Sequence, residues 1–496
     1  MKFYSKKLSF LLLALSSISI TFFLLSTKGF HDDYFWLGRC WSYESLLDVF
    51  KSLYNPSSDN RIFYNTFICF IFKLFQNNWY FYKILVLILI IVSSYLLTLI
   101  LREYALIKFE YKLNSSEIIS IICLFLIFPS APSFTSWASS FGHLSFFTIF
   151  LLNLYLIIYF KKSYLFIYII LNFFIALQYE IYATVMLANM VIFFDMYKKK
   201  LVNINFIILA AASKIICLIL SIFLFVNISG KNLSFFSKIE NIIIIFLKDI
   251  MYFLYSIYSF YNLLSLLIII GIFYYWKKIM LFINNIKKIS FLKDNLYPII
   301  GIFLFIGTIN SGGYPFSLVE LHGRLTLIFS YFYLFLFLFF FIKSNNKKKL
   351  FLAHFIIFIS AYISSAYAFI TVKKNQDLAV QKIEKVLNQE KKENLIIFNS
   401  KNKTMFFESD LNKYFINKLN IKRNEDSYIY VINNKTRCFI LDDQKFSLFI
   451  INNKAKAFLN KENRLRKIVE LKLKKNKKIN LINEENYMVI KNIDTC

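Results

Sequence analysis

The sequence predicts an all-α polytopic membrane protein of about eleven transmembrane helices over residues 1–372, followed by a small α/β domain at 373–496. Three observations predict it. Of the 496 residues, 58% are hydrophobic and 20% aromatic, with a mean hydropathy of +0.55, above the roughly 45–50% apolar content of soluble domains. The apolar residues fall in runs close to the 20 or so that cross a hydrocarbon core about 30 Å thick. Lysines punctuate those runs on alternate sides. Together these features exclude an ordinary soluble enzyme, a disordered chain and a collagen-like fibre.

The formal charge of +29 has to be corrected before it is used. Phe 60 and Tyr 33 against only 10 Gly and 5 Pro, with abundant Ile, Asn and Lys, point to an A+T-rich coding sequence. Of the 58 basic residues eight are Arg: Arg39, Arg61, Arg102, Arg324, Arg423, Arg437, Arg464 and Arg466. Much of the charge is therefore coding bias rather than a polyanion-binding surface, and no nucleic-acid partner is expected. Where Lys is the default, a retained Arg marks a need for its planar, permanently charged fork. Six cysteines with no C-x-x-C give no zinc or redox spacing. Cys69, Cys123 and Cys217 sit in apolar runs and read as core or lipid-facing residues; Cys438 and Cys496 are free to pair if the tail is extracytoplasmic.

Taken in order, the expected spans are 8–26, 82–101, 117–130, 144–160, 163–178, 181–197, 204–228, 260–276, 296–311, 325–342 and 350–372. Lys2, Lys6 and Lys7 precede the first run as in a signal peptide, but the run is long and lacks a small-residue cleavage site, so it reads as a retained anchor. With the N-terminus inside, the short inner loops hold 20 of the 31 basic residues before 373, the excess that marks a cytoplasmic face. A further span at 241–258, which contains Lys248 and Asp249, would push Lys277 and Lys278 outside, so this stretch is expected to lie along the outer surface. Odd parity then places 373–496 outside. Its 27 basic and 15 acidic residues argue the other way by charge alone, but long domains largely escape the positive-inside rule. In the tail a helical pattern at 377–392 precedes strand-like runs at 395–398, 427–432 and 446–451. The expected location is the cytoplasmic membrane, crossed many times.

With the Lys background removed, the remaining polar residues gather on the outer side. The first outer loop, 27–81, begins KGFHDDYFWLGRCW and brings Asp32 and Asp33 just past the first span, beside His31 and near Arg39. Two carboxylates there are able to hold a divalent cation such as Mg or Mn, or to divide into a general base and a substrate ligand; acidic residues also fill outer loops simply because they are solvated there. His143 and His322 fall in expected outer loops, and Glu180 sits in a connection of only a few residues, ALQYEIYAT, close to the apolar boundary. A carboxylate at that depth is a functional candidate by default, with pairing to Arg61 or His143 as the structural alternative. The segment GGYPFSLVELHGR brings Glu320, His322 and Arg324 to the mouth of the tenth span, where Arg324 fits either a phosphate clamp or a headgroup anchor. Lys214, near mid-span, reads as a buried pair or a snorkelling side chain.

These residues resemble the GT-C superfamily of integral-membrane glycosyltransferases, particularly bacterial members with Asp-Asp-Tyr near the start of the first outer loop. The resemblance rests on Asp32-Asp33-Tyr34 after the first span, Asn60-Arg61-Ile62-Phe63 before an amphipathic stretch, Glu180 at an outer helix end and Arg324 opening a late span. It covers the layout of most of 1–372 but only short motifs, and Asn60 stands where family members often have Gly. It implies a polyprenyl-phosphate-linked sugar donor and a glycan, lipid or protein acceptor on the outer face. Asp33 or Asp32 would be the base, or a metal or acceptor ligand. Arg61 and Arg324, with His143 or His322, would hold the leaving phosphate. No Gly-rich nucleotide loop is present, which disfavours a nucleotide-sugar donor. A lipid-linked glycan polymerase or ligase is the nearest alternative. A flippase or transporter of lipid-linked sugars is more distant, since no internal repeat and few Gly or Pro interruptions are visible.

Overall fold

A computed structural model describes residues 6–26, 33, 36–37, 40, 45, 47–48, 62–75, 78–137, 139–160, 165–176, 180–229, 289–311, 327–389 and strands between 395 and 490. It is mostly helical. The helices are α1 (Lys6–Ser26), α2 (Ile62–Phe75), α3 (Trp79–Phe109), α4 (Ser115–Leu126), α5 (Ala131–Ser136), α6 (Ser140–Phe160), α7 (Leu165–Ala176), α8 (Glu180–Val185), α9 (Asn189–Lys198), α10 (Ile204–Ser229), α11 (Ile289–Asp294), α12 (Leu296–Ser311), α13 (Leu327–Lys343) and α14 (Lys347–Gln389). Four stretches, Trp79–Phe109, Ser140–Tyr159, Ile181–Lys198 and Lys347–Tyr367, are long and apolar enough to cross a membrane. Helix occupies the other expected runs as shorter apolar segments, except 260–276, which with 241–258 lies outside the described residues.

Several boundaries differ from expectation for local reasons. The run expected at 117–130 is helical only to Leu126: Pro129 disfavours helical geometry at Phe128, and a short helix, α5, restarts with Pro132 in its first turn. The run at 181–197 is interrupted by a 3-10 turn at Met186–Ala188. The expected break after 372 is absent, because α14 runs unbroken for 43 residues. Its sequence has no Pro or Gly, and the Lys373–Asp377 ion pair bridges the place where the break was expected.

Internal contacts divide the chain into two units, the first formed by Met1–Ser26, Phe50–Phe67 and Tyr80–Phe369, the second by Thr27–Val49, Ile68–Trp79 and Ile370–Cys496. In the first unit α1 packs on α4 and α5, α12 on α8 and α13, and α7 on α6 and α10. Aromatic side chains fill the core. The Tyr104 ring meets Phe335 edge-on at 4.7 Å, Tyr331 meets Phe150 at 5.4 Å, and the Tyr297 hydroxyl donates to Asn189 Oδ1 at 3.1 Å while sharing a 2.7 Å bond with the Tyr331 hydroxyl. Gly301 lets α12 approach α13 closely, since a Cβ there would run into the Phe332 ring.

One end of this unit is tied by charge. Asn114 and Glu117 form a capping box at the start of α4, and Glu117 also accepts the Tyr111 hydroxyl at 2.6 Å and Lys347 Nζ at 3.0 Å. Lys108 pairs with Asp195 at 2.7 Å and Lys199 with Glu110 at 2.8 Å, joining the ends of α3 and α9. These lysines belong to the loops that set the expected orientation, and part of their charge is neutralised locally.

In the second unit Ser45 and Asp48 form a reciprocal cap: Ser45 N–H donates to Asp48 Oδ2 at 2.9 Å, and Asp48 N–H donates to Ser45 Oγ at 3.1 Å. Cys40 and Cys69 are joined by a disulfide, with Cα atoms 5.0 Å apart. The expectation that Cys69 is only a core or lipid-facing residue is therefore corrected: it lies on the buried stripe Asn65, Ile68, Cys69 and Phe72 of amphipathic α2, where it meets its partner. Cys123 and Cys217 are free and buried; Cys438 and Cys496 lie outside the described residues. In the tail, β1 (Leu395–Ser400) pairs in parallel with β2 (Ile429–Asn433) and β6 (Ile479–Asn483), and β6 pairs antiparallel with β7 (Tyr487–Ile490), in the order β2-β1-β6-β7. An antiparallel meander joins β3 (Phe446–Ile451), β4 (Lys454–Lys461) and β5 (Arg464–Val469).

Glu117→Ala tests the charged end. It removes one partner of a largely buried pair and leaves Lys347 and the Tyr111 hydroxyl without their carboxylate, so a loss of about 2–4 kcal/mol is expected in thermal unfolding of the detergent-solubilised protein. A loss below about 0.5 kcal/mol would show that the pair contributes no more than an exposed ion pair.

Candidate functional site

In the second unit Asp33 is fully buried, with 0% of its surface exposed. It lies in the same short segment as buried Trp36, Leu37 and Cys40, which the disulfide ties to α2. Asp is almost never buried without partners, and Asp33 does engage in interactions.

In the first unit the break between α4 and α6 forms a buried, hydroxyl-rich turn. Ser130, Ser133, Thr135, Trp137, Ser139 and Ser140 are all buried, although connecting segments normally run over the surface. Short turns close the backbone: Ala131 N–H donates to Phe128 O at 2.8 Å, Ser133 N–H to Ser130 O at 3.0 Å and Gly142 N–H to Ser139 O at 3.1 Å. Lys83, buried near the start of α3, donates from Nζ to the Thr135 carbonyl at 3.1 Å. A cation beside a carbonyl in the last turn of α5 satisfies an acceptor that the helix leaves open. The Oγ atoms of Ser130 and Ser140 are buried and have no hydrogen-bond partner among the described residues.

His143, expected in an outer loop, instead lies in the first turn of α6 and is 6% exposed. Its carbonyl accepts the Tyr182 hydroxyl at 3.1 Å. Tyr182 is two residues beyond Glu180, which opens α8, so the backbone of Glu180 and His143 share one end of the bundle. Asp32, Arg61, Glu320, His322 and Arg324 lie outside the described residues. Lys214 does not snorkel. It is fully buried, its Nζ has no hydrogen-bond partner among the described residues, and it sits 5.2 Å from the Tyr168 ring centre and 5.7 Å from that of Phe193. Aromatic faces offset part of the cost of its burial.

Among the described residues no group of three or more His, Cys, Asp or Glu is placed to hold a metal ion. Asp33 alone supplies no ligand set for a divalent cation. Lys83 escaped the sequence reading, yet it carried a signal: a single Lys at the end of an apolar run that was expected to face outward, against the positive-inside trend. No protein-family model and no curated protein matches the chain, so its chemistry has to be read from its own residues.

Lys83→Met tests the buried turn. Loss of a hydrogen bond from a charged donor removes about 1.5–3 kcal/mol, so amide exchange across residues 130–136 is expected to rise about tenfold or more while helix content stays unchanged. Unaltered exchange would show that Lys83 does not hold the turn.

Proposed function

We propose that the chain is a glycosyltransferase of the outer face of the cytoplasmic membrane. It moves a sugar from a polyprenyl-phosphate-linked donor to a hydroxyl acceptor on a glycan, lipid or protein, as the GT-C enzymes it resembles do. The observation that carries this reading is the complete burial of Asp33, in the segment that follows apolar α1 in the sequence. In the proposed reaction Asp33 takes the proton of the acceptor hydroxyl as its oxygen attacks the anomeric carbon. The bond from that carbon to the phosphate oxygen breaks, and polyprenyl phosphate leaves with the electron pair. Arg61 and Arg324 stabilise the charge growing on that phosphate. Asp32, Glu180 and Glu320 bind sugar or acceptor hydroxyls, with His143 and His322 on the phosphate side. A divalent cation held by the Asp pair is compatible with this scheme, which routes no step through it.

The disulfide supports the orientation. Cys40–Cys69 lies in the expected outer loop, and disulfides persist in oxidising compartments. Residues 370–496 belong to the same unit as both cysteines, which favours an outer tail over the cytoplasmic placement suggested by its charge.

Product analysis with a panel of polyprenyl-linked sugars tests the activity. Asp33→Asn is expected to lower transfer about 100-fold or more, the usual contribution of a general base, with membrane insertion unchanged. Full activity in both Asp32→Asn and Asp33→Asn would remove the proposed mechanism. A reporter fused after residue 400 is expected to be active only outside the cytoplasm; cytoplasmic activity would overturn the orientation.

A further inference from the structure

The corner between α9 and α10 has the make-up of a second binding site. α9 ends in a tight turn in which Lys200 N–H donates to Tyr197 O at 2.8 Å and Leu201 N–H to Met196 O at 2.9 Å, with Lys200 at φ 59°. This is the left-handed helix stop that glycine usually supplies. Asn203 Oδ1 then accepts Phe206 N–H at 3.0 Å and caps α10. The two stops leave a cavity of about 400 Å³ whose lining includes Tyr197, Lys198, Lys200 and Asn203.

The charges around this cavity do not cancel. Asp195 is committed to Lys108 and Glu110 to Lys199, whose hydrogen bond and charge hold the Glu110 carboxyl below the usual range. Lys198 Nζ lies 4.3 Å from the Phe194 ring centre. Among the described residues, neither Lys198 nor Lys200 has a carboxylate partner. The flanking helices expose Phe194, Ile204 and Ile208. On the membrane reading proposed above, apolar helices that end at such a corner would bring it to the depth of phospholipid headgroups, with the exposed rings and branched chains towards acyl tails.

We propose that this corner binds the phosphate of an anionic phospholipid headgroup. Lys198 and Lys200 supply the charge, and the cavity between the two helix stops supplies the shape, as basic pockets between membrane helices do for acidic lipids. A lysine cluster that served only to orient the chain would need neither a cavity nor the diversion of both nearby carboxylates to other lysines.

The test uses the full chain in nanodiscs of phosphatidylcholine, alone or mixed with phosphatidylglycerol, with retained lipid measured by native mass spectrometry. The wild-type protein is expected to retain phosphatidylglycerol over phosphatidylcholine by about 30-fold, the scale set by two lysines against an anionic surface. The double variant Lys198→Gln, Lys200→Gln is expected to lose that preference. A control variant, Lys112→Gln, Lys349→Gln, changes two other exposed lysines and is expected to keep it. Equal loss in both double variants would reduce the effect to diffuse surface charge and overturn the site, as would an undiminished preference in the first. Inorganic phosphate at millimolar concentration is expected to leave the thermal stability of the protein in phosphatidylcholine discs unchanged. A stabilisation by phosphate that disappears in the first double variant would assign the cavity to a free anion and overturn the lipid assignment.

Discussion

A helix buried among apolar side chains can be interrupted only where its freed N–H and carbonyl groups find other partners, because neither lipid nor a dry core supplies any. That constraint governs the first unit. Most of its chain avoids the problem by staying helical. The stretch that follows α4 does not, because Pro129 stops that helix and only the short α5 separates it from α6, and the interruption is closed by short turns, by Thr135 Oγ1 on the Ala131 carbonyl and by Lys83 on the Thr135 carbonyl. The result is a concentration of hydroxyl groups inside an otherwise aromatic bundle. Two of them, on Ser130 and Ser140, keep hydrogen-bonding capacity unspent among the described residues.

The helices were legible because run length and composition alone determine them: a run of some 20 apolar residues without Pro or Gly has little alternative to helix near lipid. What was not legible follows equally from physics. The pairing of Cys40 with Cys69 joins residues 29 positions apart, which no spacing rule encodes. Cys69 looked apolar in context because it lies on the buried stripe of that helix. Lys83 was hidden by a composition in which Lys is common. The break expected after residue 372 rested on a fall in hydropathy, but hydropathy measures preference for lipid, and a helix continues into water where nothing interrupts it.

The candidate residues were legible as types and poorly legible as environments. His143 and Glu180 were both placed near the outer boundary. The structure adds that His143 is buried in a helical first turn and is reached by Tyr182 from the helix that Glu180 opens. Lys214 shows the reverse. Its burial was expected, while the two aromatic rings beside it could be known only from how α7, α9 and α10 pack.

The close approach at Gly301 also bears on how this sequence can vary. Every single-nucleotide missense change of a glycine codon introduces a Cβ, and here that atom would run into the Phe332 ring. The changes that enrich a codon in A or T install Asp, Glu, Ser, Arg, Val, Cys or Trp, all bulkier than a hydrogen. A pressure towards A and T, of the kind this composition points to, would therefore meet a steric barrier at this codon. Gly301 is a position where drift in base composition stops at the packing of two helices.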